Sequence, residues 1–76
     1  MLRYYFDFRN DDACTFDDVG VMLAGIEAAR DEATRALAEY ARDVLPGRVR
    51  RVLAIEVRDE AKQALLELKL VFHAAQ

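Results

Sequence analysis

The sequence predicts an α+β fold: a four-stranded, mainly antiparallel sheet in the chain order β-β-α-β-β, with one helix packed on one face. Three observations carry this expectation. Residues 3–16 and 51–73 alternate apolar and polar side chains with period two. Residues 26–45 repeat their apolar positions at three and four, and Pro46-Gly47 stands where the period changes. A chain of 76 residues with one helix and two hairpins makes a single domain over residues 1–76. Its one core lies near the lower limit for independent stability.

The first strand is expected over Leu2–Arg9, with Tyr4, Phe6 and Phe8 on one face and Arg3, Tyr5, Asp7 and Arg9 on the other. An aromatic face of this kind suits a sheet covered by a helix. Asn10-Asp11-Asp12 is turn chemistry, because short Asx side chains bond nearby backbone and tolerate left-handed geometry. A short second strand follows over Ala13–Phe16, its Cys14 and Phe16 assigned to the inner face, and Asp17-Asp18-Val19-Gly20 ends the regular pairing. Short and acidic, it suits a sheet edge, where charge discourages pairing with other chains.

The helix is expected over Ile26–Leu45, with Ile26, Ala29, Ala33, Ala36, Leu37, Tyr40, Ala41 and Val44 forming one stripe. Its alanines allow close approach to the aromatic face, and Asp31 and Arg35 stand at the favourable i,i+4 spacing. Gly25 is a weak N-cap, whereas Pro46 and Gly47 form a strong stop. A third strand over Arg51–Arg58 turns Leu53, Ile55 and Val57 inward. A fourth over Gln63–His73 turns Ala64, Leu66, Leu68, Leu70 and Phe72 inward and Leu65, Glu67, Lys69, Val71 and His73 outward. The order second-first-third-fourth makes every neighbouring pair antiparallel and places the aromatic strand centrally.

Composition narrows the functional classes. With 54% hydrophobic and 33% charged residues the chain is globular. A net charge of −3 argues against general binding to nucleic acid or anionic membrane. The single cysteine suits a reducing cytoplasm. The N-terminal residues carry no secretory signal pattern, and no apolar run reaches the roughly 20 residues of a membrane helix.

Four segments together resemble a family of very short, uncharacterised bacterial proteins known only as a domain of unknown function. They are Arg3-Tyr4-Tyr5-Phe6-Asp7, Asp17-Asp18-Val19-Gly20-Val21, Glu27-Ala28-Ala29-Arg30-Asp31-Glu32-Ala33 and Ala54-Ile55-Glu56-Val57-Arg58-Asp59-Glu60. The resemblance supports the fold and brings no catalytic or binding residues to carry over. The chain departs from that pattern at Ala24-Gly25, where an acidic residue is usual, and at Lys62, where glycine is common.

No motif for a nucleophile, a metal or a cofactor stands out, so no cofactor and no enzymatic activity are expected. Asp11, Asp12, Asp17 and Asp18 lack the ligand spacing of a calcium loop and read as solvated turns. Cys14 reads as a buried, inert thiol, set on the opposite face from His73. Arg48, Arg50 and Arg51 form the one local basic cluster. It complements the helix dipole or, in an alternative reading as a nucleic-acid-associated or regulatory module, contacts an anion. The outward sheet face mixes charges with Tyr5, Val52, Leu65 and Val71, which makes it a candidate contact face. The leading expectation is therefore a small, non-catalytic cytoplasmic interaction module that forms a homo-oligomer. Twofold symmetry would allow Arg58 to face Glu67 across the interface.

Overall fold

The structure, a computed structural model, describes residues 1–75. Its strands are β1 (Leu2–Asn10), β2 (Ala13–Thr15), β3 (Val21–Leu23), β4 (Arg50–Arg58) and β5 (Ala64–His73), and helix α1 spans Ile26–Val44. The sheet runs β2-β1-β4-β5 with every pair antiparallel, as the alternation requires. One strand was not expected. β3 pairs with residues 2–4 of β1, along the same edge where β2 pairs with residues 8–10. β2 and β3 thus act as one edge strand interrupted by Phe16–Gly20, five residues set against the three of Tyr5–Asp7.

The core forms where the aromatic face of β1 and the aliphatic face of β4 meet the alanine stripe of α1. Tyr4, Phe6, Ala29, Ala33, Leu37, Ala41, Leu53, Ile55 and Val57 are buried together. Small side chains at 29, 33 and 41 bring the helix down onto β4, whose Leu53, Ile55 and Val57 are fully enclosed. The Phe8 and Tyr40 rings meet edge-on at 5.3 Å. Leu66, Leu68 and Leu70 face inward as expected but are only half-buried, because β5 lies at the sheet margin and one helix cannot span its width.

Two inward assignments are corrected. The two-residue turn Asp11-Asp12 sets Arg9 opposite Cys14, and directly opposed residues share a face. Cys14 therefore lies on the open face beside Arg9 and is exposed. Phe16, two residues on and past the end of β2, is 73% exposed. On the helix, Arg35 pairs with Glu32 at 3.3 Å rather than with Asp31.

The two departures from the family pattern fall at the helix N-cap and in the β4–β5 turn. Gly25, the N-cap, makes no side-chain cap bond, and its carbonyl accepts the Ala29 N–H. In the β4–β5 turn, the Asp59 carboxylate accepts the N–H groups of Ala61 and Gln63, and the chain reverses at Lys62 with φ 66°. A left-handed backbone costs a residue with a Cβ about 1 kcal/mol, which glycine avoids.

Two stability changes follow. Phe6→Ala, which empties the centre of the core, is expected to cost about 3–5 kcal/mol in urea denaturation; an unchanged midpoint would mean Phe6 faces solvent. Lys62→Gly is expected to raise stability by up to about 1 kcal/mol, and a fall would show that Lys62 makes a contact outweighing its backbone strain.

Candidate interaction surface

The helix covers one side of the sheet, so chemistry reachable from solution lies on the open face and along the two edges. At one corner of that face, a knot of ionic groups closes the broken edge. Asp7, on the outward face as expected, is nevertheless only 5% exposed. Arg58, beside it on β4, donates from Nε to Asp7 Oδ2 at 2.6 Å and from a terminal nitrogen to Oδ1 at 3.2 Å. This two-point geometry is the strong form of the arginine–carboxylate pair. The same guanidinium donates to the Asp17 carbonyl at 2.9 Å and lies 5.0 Å from the centre of the Tyr5 ring.

Asp17 completes the knot. Its backbone N–H donates to Asp7 Oδ1, and its carboxylate accepts the N–H groups of Phe6, Val19 and Gly20. The carboxylate supplies Phe6 with the acceptor that an unbroken edge strand would have offered. Arg3 fastens the far end by donating to the Val19 carbonyl at 2.8 Å. Gly20 is required there: it has φ 77°, and a Cβ would stand 2.9 Å from Arg3 Cγ and 3.0 Å from the Tyr4 carbonyl oxygen.

Electrostatics match this geometry. Burial alone would raise the Asp7 carboxyl pKa, but the Arg58 hydrogen bond, the Asp17 N–H and the Arg58 charge outweigh it and hold the pKa below its ordinary 3.8. Burial likewise opposes ionisation of Asp17. The N–H groups of Gly20, Val19 and Phe6, with the Arg58 charge, bring its pKa down in turn. Arg58 is shifted up, mainly by its bond to Asp7.

Two of the acidic turn residues thus have structural roles in place of the solvated ones expected. Asp17 builds the knot, while Asp11 accepts the Val52 N–H and pairs with Arg51 at 2.7 Å, closing the end of β4. The run of aspartates marked turns, but period-two reasoning carried no signal for a carboxylate replacing a strand acceptor. Arg58 is likewise committed to Asp7 within the chain and is not available to Glu67 of a second copy.

The four candidate contact residues do not form one patch. Val52 and Val71 are directly opposed on β4 and β5, and Val71 is 65% exposed. Tyr5 is opposite Arg58, six residues along β4 from Val52 and roughly 20 Å away at strand rise. Leu65 was expected on the open face. A bulge between Val57 and Arg58 turns it toward a hollow that it lines with Leu2, Tyr4 and Ile26. Between these ends a row of carboxylates crosses the sheet, with Asp7 opposite Glu56 and Glu56 opposite Glu67. Arg58 neutralises Asp7, while no ion pair reaches Glu56 or Glu67 among the described residues.

The basic cluster is also dispersed. Arg51 is tied to Asp11, Arg50 is the preceding residue of the strand and so points to the opposite face, and Arg48 is exposed in the turn after α1. Cys14 and His73 share the open face after all. They are three strand spacings apart, about 14 Å across the sheet alone, too far for a nucleophile and its base. Among the described residues no cluster of His, Cys, Asp and Glu is placed to hold a metal ion. Among the described residues, no helix is long and apolar enough to cross a membrane.

The sign of the acid response follows from the lowered carboxyl pKa values. Asp7 and Asp17 bind protons less readily folded than unfolded, so their stabilisation is complete above the ordinary 3.8 and is lost as pH falls through the folded values. The urea midpoint is expected to hold from about pH 7 to about pH 5 and to fall below about pH 4. Asp7→Asn should lower the plateau and flatten this acid limb. Parallel limbs in the two proteins would remove Asp7 as a cause.

Comparison with curated proteins gives no match, and neither does comparison with solved structures. The motifs of β1, the pinned edge, the helix and β4 all fall within residues 3–71, over which the chain matches the family described as Domain of unknown function (DUF6894), and to that family it belongs.

Proposed function

We propose that this chain is a small, non-catalytic interaction module of the bacterial cytoplasm that associates with itself. The observation that carries this reading is the incomplete cover of β5. Its Leu66, Leu68, Leu70 and Phe72 are half-buried under the helix, and Val71 stands exposed on the other side. A chain of 76 residues has little core to spare, and association is a common way for so small a domain to complete its burial. The bacterial assignment rests on the family resemblance, and the cytoplasmic one on the single free cysteine.

A nucleic-acid-associated or regulatory role is the second reading, favoured by the exposed Arg48 and Arg50. Against it stand the engagement of Arg51 by Asp11 and the net charge of −3. Light scattering across micromolar to millimolar concentration is expected to report twice the 8.7 kDa chain mass. A single-chain mass throughout would overturn the first reading, and salt-dependent binding to DNA or RNA would establish the second.

A further inference from the structure

The two edges of the sheet are built differently. The β2/β3 edge consists of two three-residue strands separated by the pinned Phe16–Gly20 segment, a form that resists further pairing. The other edge is β5, ten residues long and mostly apolar. Its backbone polarity can be read off the ladder. Val52 turns its carbonyl and N–H toward the β1 side, where both are bonded by Asp11. Alternation then turns Leu53, Ile55 and Val57 toward β5, and their partners Leu70, Leu68 and Leu66 toward β4. The N–H and C=O groups of Glu67, Lys69 and Val71 therefore point off the free edge.

Resting on the self-association proposed above, we infer that the β5 edge binds the β5 edge of a second copy, antiparallel, about a twofold axis through Leu68. This register sets Glu67 opposite Lys69 of the second copy, and Lys69 opposite its Glu67. Both pairs belong to the set whose backbone groups are free, so each exchanges two ladder bonds. Leu68 meets its own counterpart at the closer, non-hydrogen-bonded spacing, and Leu66 meets Leu70, all on the helix side where these leucines are half-buried. A slip of one step either way, keeping the free backbone groups matched, sets Glu67 against Glu67 or Lys69 against Lys69. Charge thus selects one register.

The pairing also supplies what the single chain lacks. Glu67 lies directly opposite Glu56 of its own sheet, and no ion pair reaches it among the described residues. Lys69 of the second copy brings a cation to that row. With the β2/β3 edge blunted, association through β5 closes at two copies rather than growing into a fibre. The sheets would join in the order β2-β1-β4-β5-β5-β4-β1-β2, with both helices on one face.

A charge swap tests this register. Glu67→Lys alone and Lys69→Glu alone each set like charges opposite one another twice, and each is expected to weaken dimerisation about tenfold or more. Mixed in equal amounts, the two variants should form a heterodimer at the native affinity, since the Glu67→Lys chain carries two cations where the other carries two anions. Restored pairing in the mixture also rules out misfolding as the cause of the single losses. In a Cys14→Ala background, Leu68→Cys should crosslink to itself under oxidised glutathione, whereas Leu70→Cys should not. A native dimer that both charge variants leave intact, or one that crosslinks through position 70 and not 68, would overturn this register and leave self-association standing. A native protein that is monomeric at every concentration would overturn both.

Discussion

The Arg58 guanidinium is the contact on which the rest of the structure depends. It reaches the Asp7 carboxylate on β1 and the Asp17 carbonyl in the edge segment, and so joins three separate stretches of chain. Asp7 is buried, so its charge is tolerated only because Arg58 and the Asp17 N–H satisfy it. Asp17, held in turn, supplies the acceptor for Phe6 N–H in the gap between β2 and β3. Without that substitution, the strand carrying the core aromatics Tyr4 and Phe6 would have an unpaired amide at its middle. The close approach at Gly20 is a further consequence, since the chain must return to β1 tightly enough for β3 to pair with residues 2–4.

The second constraint is width. A single helix lined with alanine can approach a sheet closely, but it then covers a narrow strip. The strip lies over β4, where Leu53, Ile55 and Val57 are fully enclosed, and cover thins toward β5. Larger residues at 29, 33 and 41 would lift the helix and loosen the contact over β4. Close packing at the centre and incomplete burial at the margin thus have a common origin.

Much of this was legible in the sequence because it depends on period alone. The alternation in residues 3–9 and 51–58 identified the buried faces of β1 and β4, and the three-and-four spacing identified the alanines of α1. The order of the four main strands followed from the reversal at the helix. What was not legible depends on single side chains acting across the chain. The parity of Cys14 depends on turn length, the orientation of Leu65 depends on a bulge, and β3 rejoins β1 beyond a gap whose open amide a carboxylate satisfies. Asp17, the first Asp of a turn-forming run, gives no period-two signal of such a role. Asp7 and Arg58 were visible as opposite charges on one face, but their burial depends on the edge segment folding over them, which strand periodicity does not describe.

The knot and the uneven cover together make the molecule directional. Arg58, Asp7 and Asp17 bend the β2/β3 side into a form that offers little backbone to a further strand. The helix leaves β5 partly uncovered on one face, with free backbone groups along its side. On the open face, among the described residues, the carboxylate row Asp7–Glu56–Glu67 is neutralised only at the Asp7 end, so like charge is left at the β5 end. A partner meeting this edge must bring apolar side chains on the helix side and a cation beside Glu67 on the other. A strand with leucines on one face and a lysine on the other satisfies both demands at once, and β5, with Leu66, Leu68 and Leu70 on one face and Lys69 on the other, is such a strand. In the proposed dimer, burial, backbone valence and charge would therefore all act at the same edge, and the blunted opposite side would limit assembly to two copies.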